Sequence, residues 1–451
     1  METHGSDHTG SKQVGYVHGE PGKTLGSNAR NRWTWTEAAV WTPRMLDALE
    51  RGVKGGKWFA LWDKVYALAT LSSSWSQVRA NKGSAGVDGV TVGRFTRDAQ
   101  KNLEAISATL REGNFNPQKI RRVWIPKAGS KELRPLGIPT LRDRIVQGAL
   151  LRVLEPIFEH GFAERSYGFR PGRSCKDALR RVDELLEAGR TWVVDADIKG
   201  YFDSIPHAKL MELVEKKVSD GPVLDLIRKY LKAEILDGLN GWTPEAGSPQ
   251  GAIISPLLSN IYLDPLDHAM AAAGKEMVRY ADDFVVLCGS EEEAREALEQ
   301  VRGWMKGAGL TLHPEITRIV NAAERGGFDF LGYHFERGMK WPRKKSEEKF
   351  KEAIRMKTSR TNGESMQRII ANLNRTLRGW FGYFKHSIVN VLERLEKWVR
   401  MRLRTILRKR HKGKGHGYGL SHRKWPNAYF HELGLFSMTT ARKLAVQSAR
   451  R

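Results

Sequence analysis

Cysteine is scarce in this chain, and long apolar runs are absent. The 451 residues include only two cysteines, Cys175 and Cys288, and neither belongs to a Cys-x-x-Cys pair. This count excludes a disulfide framework and any zinc module built on paired cysteines. The sequence has no apolar run long enough for a membrane helix and no basic-then-apolar signal at its N-terminus. We therefore predict a cytoplasmic protein without a membrane partner.

Acidic residues are scarce in the last quarter of the chain. Residues 340–451 contain 29 Lys and Arg but only 7 Asp and Glu, so they carry a net charge of +22 out of +24 for the whole chain. A positive charge concentrated in one segment predicts a polyanionic partner such as nucleic acid.

The motif Tyr280-Ala281-Asp282-Asp283 lies between two short runs, 275–279 and 284–288, that are rich in apolar and β-branched residues. This pattern predicts a β-hairpin with the aspartates at or beside its turn. An isolated Asp-Asp pair is usually a solvated turn. A second acid, Asp197, follows another predicted strand, and carboxylates that converge in this way are suited to Mg²⁺.

Two basic segments precede these motifs. Residues 121–127 predict a strand, and residues 134–139 predict a second strand after a short loop. Together they would form a cationic β-ribbon carrying Arg121, Arg122, Lys127 and Arg134. Two interpretations stay open, a solvated charged hairpin or a clamp on a triphosphate or template backbone.

The remaining pattern is mainly helical. Further strands are predicted at 191–197, 310–314 and 328–335. Helices are predicted at 101–112, 141–159, 175–188, 291–309, 346–358, 363–388 and 390–410.

An ordered set of motifs resembles the reverse transcriptases encoded by group II introns, also called intron maturases. The resemblance covers roughly residues 55–440. The matching segments are 83–89, 134–139, 166–173, 197–202, 248–251, 280–283, 327–332 and 378–383.

The resemblance implies an α+β fold of the right-hand polymerase class, in which fingers and palm with an antiparallel sheet precede an α-helical basic thumb. The expected divisions are a flexible N-terminal arm, an N-terminal extension with the start of the fingers, the fingers and palm, the thumb or maturase X region, and a basic extension. Their expected bounds are 1–32, 33–90, 91–338, 339–412 and 413–451. The DNA endonuclease domain that some members carry is expected to be absent.

For the site, the resemblance implies that Asp197, Asp282 and Asp283 are catalytic and hold two Mg²⁺ ions, for which Mn²⁺ is a possible substitute. Ile198 is included in the metal-binding set. Asp195 is interpreted as structural.

Four further residues match nucleotide contacts of the family. Phe202 matches the aromatic gate that excludes a 2′-hydroxyl, although a ring there also suits core packing. Gln250 matches a nucleotide-contacting glutamine. Lys127 and Arg134 match fingers residues that neutralise triphosphate charge.

The expected function is RNA-directed DNA synthesis, together with binding of intron RNA to assist splicing and retrohoming. The expected partners are group II intron RNA, an RNA template with a DNA primer, dNTPs and target DNA, in a bacterial cytoplasm. Alternatives are a domesticated reverse transcriptase acting in DNA repair or CRISPR spacer acquisition, a splicing cofactor without polymerase activity, and an RNA-dependent RNA polymerase.

One departure from the family pattern is Ile316, where the family commonly has a lysine. Asp203 is interpreted as structural.

Overall fold

The structure, a computed structural model of the chain, describes residues 32–126 and 133–449. Residues 1–31 of the predicted N-terminal arm lie outside this range, and so does Lys127 of the predicted ribbon. The α-helices of the described residues, in chain order, are α1 Pro43–Arg51, α2 Trp62–Tyr66, α3 Leu68–Ala80, α4 Val92–Arg97, α5 Ala99–Arg111, α6 Leu141–Glu159, α7 Cys175–Glu187, α8 Tyr201–Ser204, α9 His207–Glu215, α10 Gly221–Leu231, α11 Ser255–Ala272, α12 Glu291–Ala308, α13 Lys344–Lys357, α14 Met366–Phe384, α15 Val389–Arg410, α16 Ser421–Lys424, α17 Asn427–Glu432 and α18 Met438–Ala449.

The strands are short and fall into three sheets. They are β1 Ile120–Pro126, β2 Leu133–Ile138, β3 Trp192–Ala196, β4 Ile235–Asp237, β5 Asn240–Trp242, β6 Glu276–Tyr280, β7 Asp283–Cys288, β8 Arg318–Asn321, β9 Phe328–Phe330, β10 Tyr333–Glu336 and β11 Met339–Pro342. Within the described residues, none of the helices combines the length and apolar character that a membrane crossing requires.

The chain divides into two compact units. The first combines Met1–Gln118, Pro139–Gly161 and Ala208–Ala233. Helices α2 and α3 pack on α6, which begins at Leu141 as predicted, because the Thr140 hydroxyl accepts a hydrogen bond from the amide of Asp143.

The second unit combines Lys119–Ile138, Phe162–His207 and Glu234–Arg451, and its central sheet has the strand order β6-β7-β3-β8. All three pairings in this sheet are antiparallel. Helix α12 packs on β3 and β7 and ends at Gly309, which takes the left-handed φ of 74° that favours glycine at a helix C-terminus.

Two further sheets belong to the second unit. One has the order β2-β1-β4-β5, and the other has the order β11-β10-β9. The predicted basic ribbon is confirmed, since β1 and β2 pair antiparallel. The pairing of β1 with β4 is parallel, so the first of these sheets is mixed rather than purely antiparallel as expected.

The predicted strand at 310–314 is wrong, because only an isolated bridge between Ile198 and Leu312 forms there. Single pairings of this kind depend on a partner far away in the chain, which local sequence does not reveal. The run at 328–335 is two strands rather than one, because Leu331 and Gly332 take left-handed φ values of 46° and 84° and reverse the chain.

The three helices predicted in the basic region are confirmed as α13, α14 and α15. Buried side chains from all three form one hydrophobic core with residues that follow α15, including Trp425, Phe430 and Met438. The α+β fold class predicted from the sequence is confirmed by these sheets and by the helical region that follows them.

Candidate active site

The register between β3 and β7 brings acidic residues from distant parts of the chain together. Ala196, the last residue of β3, lies opposite Phe284, the second residue of β7. Continued by one position, this antiparallel register places Asp197 across from Asp283. The backbone carbonyl of Asp197 is fixed by a 2.8 Å hydrogen bond from the amide of His313. Convergence of the predicted acidic residues therefore follows from strand pairing.

Asp282 lies in the tight turn of the β6–β7 hairpin, as the sequence predicts. Tyr280 pairs with Asp283, which leaves Ala281 and Asp282 as a two-residue turn. Ala281 takes a left-handed φ of 60°, a conformation that costs an L-residue about 1 kcal/mol. Gly168 packs closely against the turn, since a Cβ added to Gly168 would lie 2.2 Å from the Ala281 nitrogen. Position 168 therefore has no room for a side chain.

A buried network centred on Arg279 holds this turn. The Arg279 side chain is fully buried and donates to both carboxylate oxygens of Asp267, with Nε–O distances of 2.8 and 3.0 Å. Its Nη1 donates to the side-chain oxygen of Asn260 at 3.0 Å and to the carbonyl of Ala281 at 2.8 Å. Its Nη2 donates to the Ser166 hydroxyl at 2.7 Å. A cation buried among such partners fixes the backbone of the aspartate turn.

Arg279 and Asp267 were not predicted as functional residues. A weak signal for them exists in the sequence, because Arg279 directly follows the apolar Met277 and Val278 of β6, and Asp267 directly follows Leu266 of α11. A buried charge requires a partner, so two such residues of opposite sign indicate a buried ion pair.

The electrostatics of the turn indicate crowded negative charge. Burial, together with the nearby carboxylates of Asp282, Asp195 and Asp197, raises the pKa of Asp283 to about 7. Burial also raises the pKa of Asp282, and the charge of Asp197 adds to the rise. Desolvation and like charge both disfavour the ionised forms, so this site favours a bound cation.

Asp195 has a partner of its own. Its carboxylate forms a 3.3 Å ion pair with Arg318, and its pKa is raised to about 6, chiefly by burial. This contact is in keeping with the structural role expected for Asp195.

The three aspartates supply hard oxygen ligands of the kind that Mg²⁺ takes. Within residues 32–126 and 133–449, no group of three or more His, Cys, Asp or Glu side chains is already arranged as a metal cage. Mg²⁺ sites in proteins commonly keep several waters and share substrate phosphates rather than being enclosed by protein ligands alone. Ile198 is buried, and an isoleucine offers only its backbone carbonyl as an oxygen ligand.

The loop carrying Gln250 is tied to the segment carrying Phe202. The amide of Ser248 donates to the carbonyl of Phe202 at 2.7 Å, and the amide of Gly247 donates to the carbonyl of Ile205 at 2.8 Å. Phe202 is half-buried, and its ring lies 5.4 Å from that of Tyr201. The structure thus places the segments of Phe202 and Gln250, two of the four predicted nucleotide-contacting residues, side by side.

The basic ribbon is attached to the same loop. The amide of Gly137 in β2 donates to the carbonyl of Gln250 at 2.6 Å. A Cβ on Gly251 would lie 2.3 Å from the Gly137 carbonyl oxygen, so glycine is required at this contact. Arg134 is exposed on β2 opposite Ile125, while the position of Lys127 lies outside the described residues.

Comparison with known families gives the site its context. Residues 125–335 match the family described as "Reverse transcriptase (RNA-dependent DNA polymerase)", and residues 347–425 match the "Group II intron, maturase-specific domain". Protein YkfC of Escherichia coli (strain K12) is 35% identical over 345 residues, which cover 68% of this chain and 86% of that protein. The chain belongs to the group II intron family of reverse transcriptases and maturases.

Other relatives of this reverse transcriptase are matched over shorter stretches. The group II intron-encoded protein LtrA of Lactococcus lactis subsp. cremoris is 40% identical over 194 residues, which cover 43% of this chain and 32% of LtrA. Among solved structures, a partial Cas6-RT-Cas1–Cas2 complex is 26% identical, with a TM-score of 0.36 over 55% of this chain and 41% of that one. A likeness at this score is too distant to bear on function.

The family membership confirms the expected RNA-directed DNA polymerase with a splicing-assisting maturase domain. Reverse transcriptases generally use divalent metal ions, and the maturase domain points to RNA as a partner. Three of the maturase region's aromatic side chains, Trp380, Trp398 and Trp425, pack in or against its hydrophobic core. Ile316, at the position of the usual lysine, is 45% exposed.

Proposed function

We propose that this reverse transcriptase copies RNA into DNA at the carboxylates of Asp197, Asp282 and Asp283, with two Mg²⁺ ions and dNTPs. The proposal is supported above all by the strand register that sets Asp197 across from Asp283. When bound, such ions lower the pKa of the primer 3′-hydroxyl and stabilise the charge of the leaving pyrophosphate. Mn²⁺ could take their place.

The chain's own residues would bind and orient the substrates. The carboxylates of Asp282 and Asp283, crowded and largely buried, would gain charge compensation when cations arrive. Arg134, and with it Lys127, would bind the triphosphate through charge-assisted hydrogen bonds. Gln250 would contact the nucleotide from a loop whose backbone is fixed by Gly137.

Phe202 would select the sugar. A ring below the ribose position leaves no space for a 2′-hydroxyl, so the site would accept dNTPs and reject rNTPs by steric clash. This residue is also the point at which an RNA-dependent RNA polymerase would differ, since such an enzyme must accept the 2′-hydroxyl.

We further propose that fingers and palm occupy residues 91–338 and that the helical region from 339 to 412, with the basic extension after it, grips group II intron RNA. This grip would assist splicing and retrohoming into target DNA, in a bacterial cytoplasm. An A-form duplex is recognised through phosphates and 2′-hydroxyls, so a surface rich in Lys and Arg suffices.

Primer extension tests the polymerase. A DNA primer on a long RNA template would be incubated with Mg²⁺, dNTPs and either the wild-type chain or the Asp282→Asn variant. We expect wild-type extension, no extension by Asp282→Asn, and equal RNA binding by both. Asp225→Asn, which alters an aspartate that forms an i,i+3 ion pair with Arg228, serves as the matched control. Extension by Asp282→Asn near the wild-type rate would refute the assignment.

A further inference from the structure

An exposed stack of aromatic rings and a guanidinium lies on the sheet with strand order β2-β1-β4-β5. Trp124 of β1 is 48% exposed and Trp242 of β5 is 38% exposed. The guanidinium carbon of Arg122 lies 5.5 Å from the ring centroid of Trp124 and 4.6 Å from that of Trp242. Single exposed aromatic residues are common on proteins, but here one guanidinium lies within cation–π distance of two exposed indole rings.

The stack is anchored on strands rather than on a loop. The indole N–H of Trp124 donates to the carboxylate of Asp237 in β4 at 3.0 Å. Trp242 pairs with Ile235, also in β4, through the β4–β5 hairpin. Rings held in this way lose little conformational entropy when a planar ligand stacks on them.

The stack is continuous with the loop of the proposed nucleotide site. Arg122 lies opposite Gly137 in the β1–β2 register, so the two share a sheet face. A Cβ on Gly137 would lie 3.3 Å from the Gln250 carbonyl oxygen and 3.5 Å from Cβ of Pro249. Burial raises the pKa of Asp203, next to Phe202, and the charge of Arg122 opposes that rise. One end of the stack therefore adjoins both segments of the nucleotide site.

We propose that Trp124, Arg122 and Trp242 form a stacking platform for the unpaired RNA template that lies 5′ of the templating base. The inference rests on the proposed function and adds a binding site to it. Unpaired bases present flat π faces to aromatic rings and to arginine, in a manner that tolerates any sequence. Arg122 also carries a positive charge within the stack, which complements the template phosphates.

The test compares two RNA template–DNA primer duplexes, one with blunt ends and one with a 5′ template overhang of about eight nucleotides, within the range that single-strand binding folds cover. Affinity is measured with the full-length wild type and with the double variant Trp124→Ala/Trp242→Ala. We expect the overhang to strengthen wild-type binding. In the double variant, the gain in affinity from the overhang should be about tenfold smaller than in the wild type. Its affinity for the blunt duplex should equal that of the wild type.

Two control variants and one modified substrate test whether the aromatic rings themselves cause the gain in affinity. Trp124→Phe/Trp242→Phe keeps the rings and should restore most of the gain, while Phe59→Ala, at an aromatic residue 54% exposed elsewhere in the chain, should leave it unchanged. An overhang of abasic nucleotides keeps the phosphates but removes the bases. The abasic overhang should reduce the affinity of the wild type as much as the double alanine substitution reduces its affinity for the normal overhang. Combining the abasic overhang with the double alanine variant should cause no further loss of affinity.

If the double alanine variant loses affinity equally for both duplexes, or loses affinity for neither, the platform is refuted. The face would then be a structural or protein-binding surface. Thermal unfolding of each variant shows whether a loss reflects misfolding, and the phenylalanine variants keep the test decisive if the alanine pair unfolds. Failure of the wild type to extend a primer would instead count against the polymerase itself.

Discussion

The guanidinium of Arg279 donates a 2.8 Å hydrogen bond to the carbonyl oxygen of Ala281, two residues further along the chain. That carbonyl belongs to the strained turn between β6 and β7, one residue before Asp282. The turn that presents the proposed metal ligands is therefore supported from the protein interior by a buried cation.

Replacing Arg279 with lysine should impair both stability and catalysis. Lysine retains the charge but cannot reach Asp267, Asn260 and Ala281 together, because its donors lie at one point. We expect the free energy of unfolding to fall by about 3 kcal/mol, within the range for disrupted buried pairs. Because the turn would shift, kcat should fall while KM for dNTP changes little.

Urea unfolding and steady-state primer extension would measure these effects. Arg302→Lys alters an exposed ion pair with Glu299 on α12 and should change stability by less than about 0.5 kcal/mol. Loss of stability with an unchanged kcat in the folded fraction would show that Arg279 does not position the turn.

Replacing Phe202 with alanine should relax sugar selection. Removing the ring opens space for a 2′-hydroxyl, so the ratio of kcat/KM for dNTP over rNTP should fall by about tenfold or more. Single-nucleotide incorporation with matched dNTP and rNTP substrates gives this ratio. Phe202→Tyr keeps the ring and should retain selection. If Phe202→Ala loses activity equally with both nucleotides, the ring serves packing alone.

The stability of the first unit should depend on pH through Glu155. Burial raises the pKa of this carboxyl from an ordinary 4.5 to about 7, with Glu159 one turn away adding to the rise and Arg152 opposing it. The folded state therefore holds more protons than the unfolded state between pH 4.5 and 7, and the free energy of unfolding falls as pH rises through that window.

The variant Glu155→Gln removes this ionisation. It should be more stable than the wild type at pH 8 by about 2 kcal/mol and should show a weaker pH dependence between pH 5 and 8. Urea unfolding at both pH values is the measurement. Glu299→Gln, at an exposed site, should leave the profile unchanged. An identical slope for wild type and Glu155→Gln would show that another group is responsible.

RNA binding should weaken steeply with salt. Residues 340–451 carry nearly all of the net charge, so their contacts with phosphates release counterions. The double variant Lys412→Gln/Lys414→Gln, at two exposed positions, should reduce the slope of log K against log salt by about 2, or about 1 for each lysine. The exposed Lys101→Gln of α5 is the control. A flat salt dependence would contradict an electrostatic grip.

Much of the fold is predictable because its signals are local. The short apolar and β-branched runs on either side of Asp282 and Asp283 predict their hairpin, and Gly309 predicts the end of α12. What the sequence does not reveal depends on distant partners. Strands β4 and β5 have three residues each, and β8 forms only by pairing with β3.

The same distinction applies to the site. The aspartates are predictable because their motif and a second strand end mark them, whereas the network of Arg279, Asp267 and Asn260 joins α11 to β6 through side chains alone. The platform of Trp124 and Trp242 is likewise visible only when β4 places the two rings near one arginine.

The antiparallel alignment of Ala196 with Phe284 also limits how this enzyme can be lengthened. An extra residue inside β3 would rotate Asp197 to the opposite surface of the sheet, because successive strand residues alternate sides. The hairpin bend at Leu239, whose side chain is fully exposed, has no such constraint. Peptide tags or reporter insertions should thus be accommodated between β4 and β5, whereas a single added amino acid beside the aspartates should abolish DNA synthesis.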